Sequence, residues 1–162
     1  MNPISEELKQ KYRKIKSSVL ATLKKVKAHP PRNLDQWFEE QHEDIFEKTD
    51  CLTCGNCCRT TSPMLFEKDI ERLSSALRMR EKDFVQSYLF LDTDGIYAMK
   101  STPCPFLGDD NACSVYDDRP KACREFPHTN HRKMHTHLHL IPKNVLICPA
   151  VYEIAERIKS LN

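Results

Sequence analysis

The 162-residue chain has only three glycines, Gly55, Gly95 and Gly108. They are too far apart to form a GxGxxG dinucleotide fingerprint or a Gly-rich phosphate loop. No apolar run approaches the ~18 residues that a membrane helix needs. No serine–histidine–carboxylate pattern or paired-carboxylate motif stands out, so the usual hydrolytic chemistries have no candidate residues. The N-terminus, MNPISEELKQKYRKIKSS, is charged from its sixth residue and lacks the apolar core of a secretory signal. The expectation is a cytoplasmic protein with no membrane contact.

Cysteine, by contrast, is abundant. Eight thiols stand at Cys51, Cys54, Cys57, Cys58, Cys104, Cys113, Cys123 and Cys148. In a reducing compartment, clustered thiols bind metal or do redox chemistry more often than they form disulfides. A disulfide staple is the alternative. Two residues between thiolates let a tight loop aim both sulfurs at one ion, and Gly55 relieves the crowding inside such a loop. Cys51, Cys54 and Cys57 resemble the start of a ferredoxin run, whose last cysteine precedes a proline. Cys104-Pro105 and Cys148-Pro149 supply such pairs here. Neighbouring side chains are expected to diverge, so Cys57 and Cys58 should serve different centres, or one of them should be a bystander.

Zinc and iron–sulfur both suit thiolates. Zinc fingers present paired CxxC knuckles, whereas the downstream cysteines here arrive singly, which leans toward iron–sulfur. All eight cysteines are candidate metal ligands.

Charge is laid out unevenly around a net +2. Residues 1–28 hold eight Lys/Arg against two Glu, giving +6; residues 31–50 hold two against seven acidic residues, giving −5. Leu8, Tyr12, Ile15, Val19, Leu23 and Val26 form one apolar stripe of a basic helix, which HisProPro at 29–31 ends. An acidic helix is expected over Leu34 to Lys48. The stripe either packs on the protein's own core or docks a protein partner. Tyr12 and Arg13 are the only aromatic and arginine that interleave with the lysines, and no glycine does, which argues against nucleic acid.

Further helices are expected at about Phe66–Leu77, Glu81–Leu89 and Val151–Leu161, with a short strand at residues 95–100 after an Asp-Gly turn. Pro120 suits the start of a helix with Asp118 as its N-cap. The fold class that follows is mainly α, α-rich with short strands, in a small single domain organised around the cysteine cluster. Residues 1–50 would be a helical extension and 51–162 the metal-binding domain.

CLTCGNCC together with CPFLGDDNACSVYDDRPKACREFP, residues 104–127, resembles the bacterial CxxCxxCC cysteine-cluster family. The family is described as zinc- or iron-chelating and includes the flagellin lysine N-methylase. The resemblance rests on the eight cysteines with Gly55, Pro105, Phe106, Leu107, Tyr116, Arg119, Pro120, Arg124, Phe126, Pro127 and Pro149, over about residues 51–150. It implies a zinc site or an iron–sulfur cluster. Three functions are compatible with it: a metalloprotein whose centre organises the fold, a protein-lysine methyltransferase, or an iron–sulfur electron carrier or redox sensor. The absence of a Gly-rich loop weighs against the second. Whether the chain is an enzyme, and which residues would be catalytic, is left open by the motif.

Among the remaining motif residues, Phe106, Leu107, Tyr116 and Phe126 are expected to form a small core beside the metal. Arg119 and Arg124 would donate to thiolate sulfurs or pair with Asp109, Asp110, Asp117 or Asp118. The tract HTNHRKMHTHLH adds His128, His131, His135, His137 and His139. Alternation from His135 to Leu140 suggests a strand with three imidazoles on one face, serving as a solvated polar face or as a metal site.

Overall fold

The computed structural model describes residues 3–161. In chain order the helices and strands are α1 (Pro3–Ala28), α2 (Leu34–Phe46), α3 (Cys51–Cys54), α4 (Asn56–Thr60), β1 (Met64–Leu65), α5 (Glu67–Ala76), α6 (Glu81–Tyr88), β2 (Leu89–Leu91), β3 (Tyr97–Met99), α7 (Lys121–Glu125), α8 (Ile141–Asn144) and α9 (Pro149–Ile158). Short 3-10 turns cover Tyr116–Asp118, Met134–Thr136 and Leu138–Leu140. The protein is mainly α, with one small sheet. No helix is long and apolar enough to cross a membrane among the described residues.

The chain forms two compact units. One joins residues up to Asp50 with those from Pro127 onward; the other is Cys51–Phe126. The first is built on α1. Glu6 lies in its first turn and Lys25 and Lys27 in its last, as the helix dipole favours. The apolar stripe is spent on the unit's own core: Tyr12, Val19, Leu23 and Val26 are buried with Phe38 of α2 and with Val151, Ile154 and Ile158 of α9. Arg157 of α9 donates to Gln41 and Asp44 of α2, both at 2.7 Å, and clamps the two helices at their polar edge. Lys9 and Lys11 pair within their own helix with Glu6 and Glu7.

In the second unit, α5 and α6 pack over a three-stranded antiparallel sheet in the order β1-β3-β2. Met64, Ala98 and Phe90 form one row across it. Asp92 turns β2 into β3 by accepting the N–H groups of Asp94 and Ile96 at 2.9 and 2.8 Å, with Gly95 in the left-handed region at φ 76°. Leu65, Ile70, Leu73, Phe84, Leu89, Met99, Phe106 and Val115 form the core.

Three local expectations change. The stretch from His135 to Leu140 is two 3-10 turns, not a strand, because Leu138 and Ile141 turn inward to the helical core of their unit. Asp118 does not cap α7, since it ends a 3-10 turn of its own; the cap comes from Asp69, whose carboxylate accepts the Lys121 N–H at 3.0 Å. Tyr116 lies outside the core, 57% exposed, with the Arg119 guanidinium 3.4 Å over its ring; of the four expected core residues, Phe106 alone is buried among the described residues.

Candidate metal centre

The thiol-rich stretch is two short helical turns rather than a loop. Gly55 joins α3 to α4 in the left-handed region at φ 57°, where a side chain is strained. A Cβ at this position would meet Asn111 Oδ1 at 2.8 Å. Asn111 is there for a reason. Its Nδ2 donates to the Leu52 carbonyl at 2.6 Å, and its Oδ1 accepts from Arg59. One side chain from the second cysteine segment therefore clamps both turns of the first. Sequence reasoning passed over Asn111, although GDDN is a turn in which Asn tolerates a positive φ (here 62°).

The second segment folds back on itself. Leu107 bridges to Cys113, Ser114 N–H donates to the Phe106 carbonyl at 2.9 Å, and Gly108 N–H donates to that of Ala112 at 2.8 Å. The Cys104 N–H donates to the Cys58 carbonyl at 2.8 Å, which ties the two cysteine segments by their backbones. Cys123 is held on α7. The buried Asp69 accepts from Arg72 at 2.7 Å, and the same Arg72 nitrogen donates to the Arg119 carbonyl at 2.8 Å. Arg124 also donates to Arg119 O, at 2.5 Å. Arg119 and Arg124 thus hold backbone and ring rather than aspartates.

These folds bring Cys58, Cys104, Cys113 and Cys123 into one electrostatic neighbourhood. Burial pushes the Cys123 thiol up to about 12, and the neighbouring Cys58, Cys104 and Cys113 push in the same direction. Cys104 is raised by burial first, then by Cys58 and Cys113, against a backbone N–H from Phe106. Cys58 is raised chiefly by its hydrogen bond with Cys57 and next by burial, while Arg119 and Arg59 pull it down. Burial and the neighbouring thiols thus both disfavour the charged form at Cys104 and Cys123.

The Cys57 and Cys58 sulfurs lie 3.9 Å apart. This differs from the divergence expected of neighbouring side chains: the two sulfurs are within hydrogen-bonding reach of each other. Among the described residues, no three sulfurs of Cys51–Phe126 lie within 4.8 Å of one another. Cys51 is exposed, Cys54 is half-buried, and both belong to α3. Cys148 lies in the other unit, where it precedes Pro149 as the N-cap of α9 and packs on that unit's core. No disulfide links the eight.

A family model described as "CxxCxxCC: Putative zinc- or iron-chelating domain" matches residues 50–141, more than half of the chain. The chain belongs to the CxxCxxCC family. No curated protein and no solved structure matches it. The CxxCxxCC match contains seven of the eight cysteines and ends before Cys148-Pro149. Metal chelation is the property that the family description carries, with zinc and iron undivided.

Proposed function

We propose that the CxxCxxCC segment is a thiolate metal centre that organises the fold of residues 51–126, with Cys58, Cys104, Cys113 and Cys123 as its principal ligands. Cys57 is an alternate ligand beside Cys58, and Cys51 and Cys54 supply further thiolates from α3. The observation that carries this reading is that the Cys104 N–H donates to the Cys58 carbonyl at 2.8 Å, tying the two cysteine segments together, while Cys123 lies near enough to Cys58, Cys104 and Cys113 for all three to raise its thiol after burial.

A structural role follows from the size of the core. The unit of residues 51–126 buries eight apolar residues in its cluster, against sixteen in the other unit's cluster, among the described residues. Small scaffolds with thin cores need a staple, and a structural metal supplies one. When bound, the metal cross-links the two cysteine segments and replaces thiol protons with a cation.

An iron–sulfur cluster is the favoured occupant. Thiolates of one zinc stand about 3.8 Å apart. Among the described residues no three of the sulfurs lie within 4.8 Å of one another, and the downstream cysteines arrive singly. Anaerobic purification followed by metal and acid-labile sulfide analysis tests the reading. Iron and sulfide in similar amounts, with a broad visible absorption band, is the expected result. A colourless protein with stoichiometric zinc would retain the thiolate centre and overturn the cluster. Protein that binds neither metal would overturn both.

A further inference from the structure

A second group of ligand atoms occurs among the histidines and uses no cysteine. His128 Nδ1 and His131 Nε2 are 2.9 Å apart. Two imidazole nitrogens bound at about 2.0–2.1 Å to one ion, with a right-angled bite, stand at about this separation. Without an ion, the same distance is an N–H···N hydrogen bond in which one ring donates. A metal ion and that proton compete for the same pair of nitrogens.

The segment that carries these rings is pinned rather than loose. Asn144 Nδ2 donates to the Pro127 carbonyl at 2.8 Å, and the buried Thr129 shares a 2.7 Å hydrogen bond with His42. Asp35 accepts the N–H groups of Lys133 and Met134 at 2.7 and 2.8 Å. His128 and Lys133 both hold positive φ, 64° and 59°. Such conformations persist only where the surroundings impose them. His131 is stacked on His137, with centroids 4.4 Å apart and planes 14° from parallel. The Thr136 hydroxyl donates to the Lys133 carbonyl, so toward His137 Nδ1, 3.0 Å away, its oxygen accepts. This fixes the proton of His137 on Nδ1 and sets the ring that supports His131.

We propose that His128 Nδ1 and His131 Nε2 bind a first-row divalent cation, with His137 as the positioning residue that holds the plane of His131. Neutral imidazole suits zinc, cobalt, nickel and copper, and water completes the coordination. The proton between the rings leaves to solvent or to a ring's other nitrogen as the ion enters.

Titration of the purified full chain, its native metal in place, with Co2+ is the test. The expected result is one additional equivalent with d–d absorption and no sulfur-to-cobalt charge transfer, displaced by Zn2+. It should vanish in His131→Ala and weaken about tenfold or more in His137→Ala. His137→Phe, which keeps a ring in the stack, should restore most of the affinity. Far-ultraviolet circular dichroism of His131→Gln, expected to match the parent while lacking the equivalent, separates ligand loss from misfolding. No additional equivalent, one that carries a sulfur charge-transfer band, or one retained when both His128 and His131 are alanine would overturn the proposal.

Discussion

Gly55 and Asn111 show how much of the metal centre rests on residues that are not ligands. Gly55 supplies a left-handed turn and leaves the space that Asn111 fills. Gly55→Ala adds a positive-φ penalty and a clash, and should cost about 1–2 kcal/mol. Chemical denaturation of the metal-loaded protein would measure it, with metal content falling in parallel. Cys57 acts on its neighbour in a different way. Its hydrogen bond is the largest cause of the raised Cys58 thiol. Cys57→Ala should therefore lower the Cys58 pKa and speed alkylation of metal-free protein at Cys58 at alkaline pH. Alkylation that is unchanged or slower would show that the sulfur contact does not govern this thiol.

At the scale of the element, α7 is positioned from outside itself. It is five residues long, begins after Pro120 without a side-chain cap of its own, and takes its cap from Asp69 on α5. That carboxylate is buried, which alone would raise its pKa. Arg72 and the N–H groups of Phe66 and Lys121 outweigh burial and hold it below the ordinary 3.8. Asp69→Asn keeps the shape but loses the charge on three hydrogen bonds, at a cost of about 2–3 kcal/mol. The sign of the pH dependence follows. Stability from a carboxyl depressed in the folded state is complete above 3.8 and is lost as pH falls through the lower folded value. The Asp69→Asn variant should show a smaller loss of stability between pH 4 and pH 2 than the parent, measured by thermal unfolding at each pH.

For the whole molecule, the contrast between the two cores predicts unequal dependence on metal. Chelation should collapse amide protection across residues 51–126, while α1 and α9, buried against each other in a larger core, keep theirs. Hydrogen exchange with and without chelator reads this directly. Equal loss in both units would show that the centre staples more than its own segment. Metal-free protein should also weaken as pH rises from 9.0 toward 12. The unfolded thiol ionises from 9.0 while the folded Cys123 resists until about 12, so deprotonation favours the unfolded chain over that window. Metal should reverse the trend, because a bound cation favours the thiolate.

Periodicity was enough to show where the long helices lie. Leu8 to Val26 repeats at three and four, and an i, i+4 stripe buries itself whatever covers it, so α1, α5, α6 and α9 were legible. The cysteine spacing was equally legible as the mark of a chelating family, which the match over residues 50–141 bears out, because soft ligands clustered in one chain have few other uses. The partners were not legible, because they depend on contacts between residues far apart in sequence. That the stripe of α1 meets α9, that Asp69 caps a helix fifty residues away, and that Asn111 clamps the turn at Gly55 are choices among many patterns that look alike along the chain. The histidines show the limit most clearly. Alternation from His135 to Leu140 has the period of a strand, but Leu138 and Ile141 bury better against helices, and burial outweighs a six-residue period. Adjacent sulfurs at Cys57 and Cys58 follow the same rule. Backbone direction separates neighbouring side chains, and it is tertiary packing that selects the torsions that bring these two to 3.9 Å.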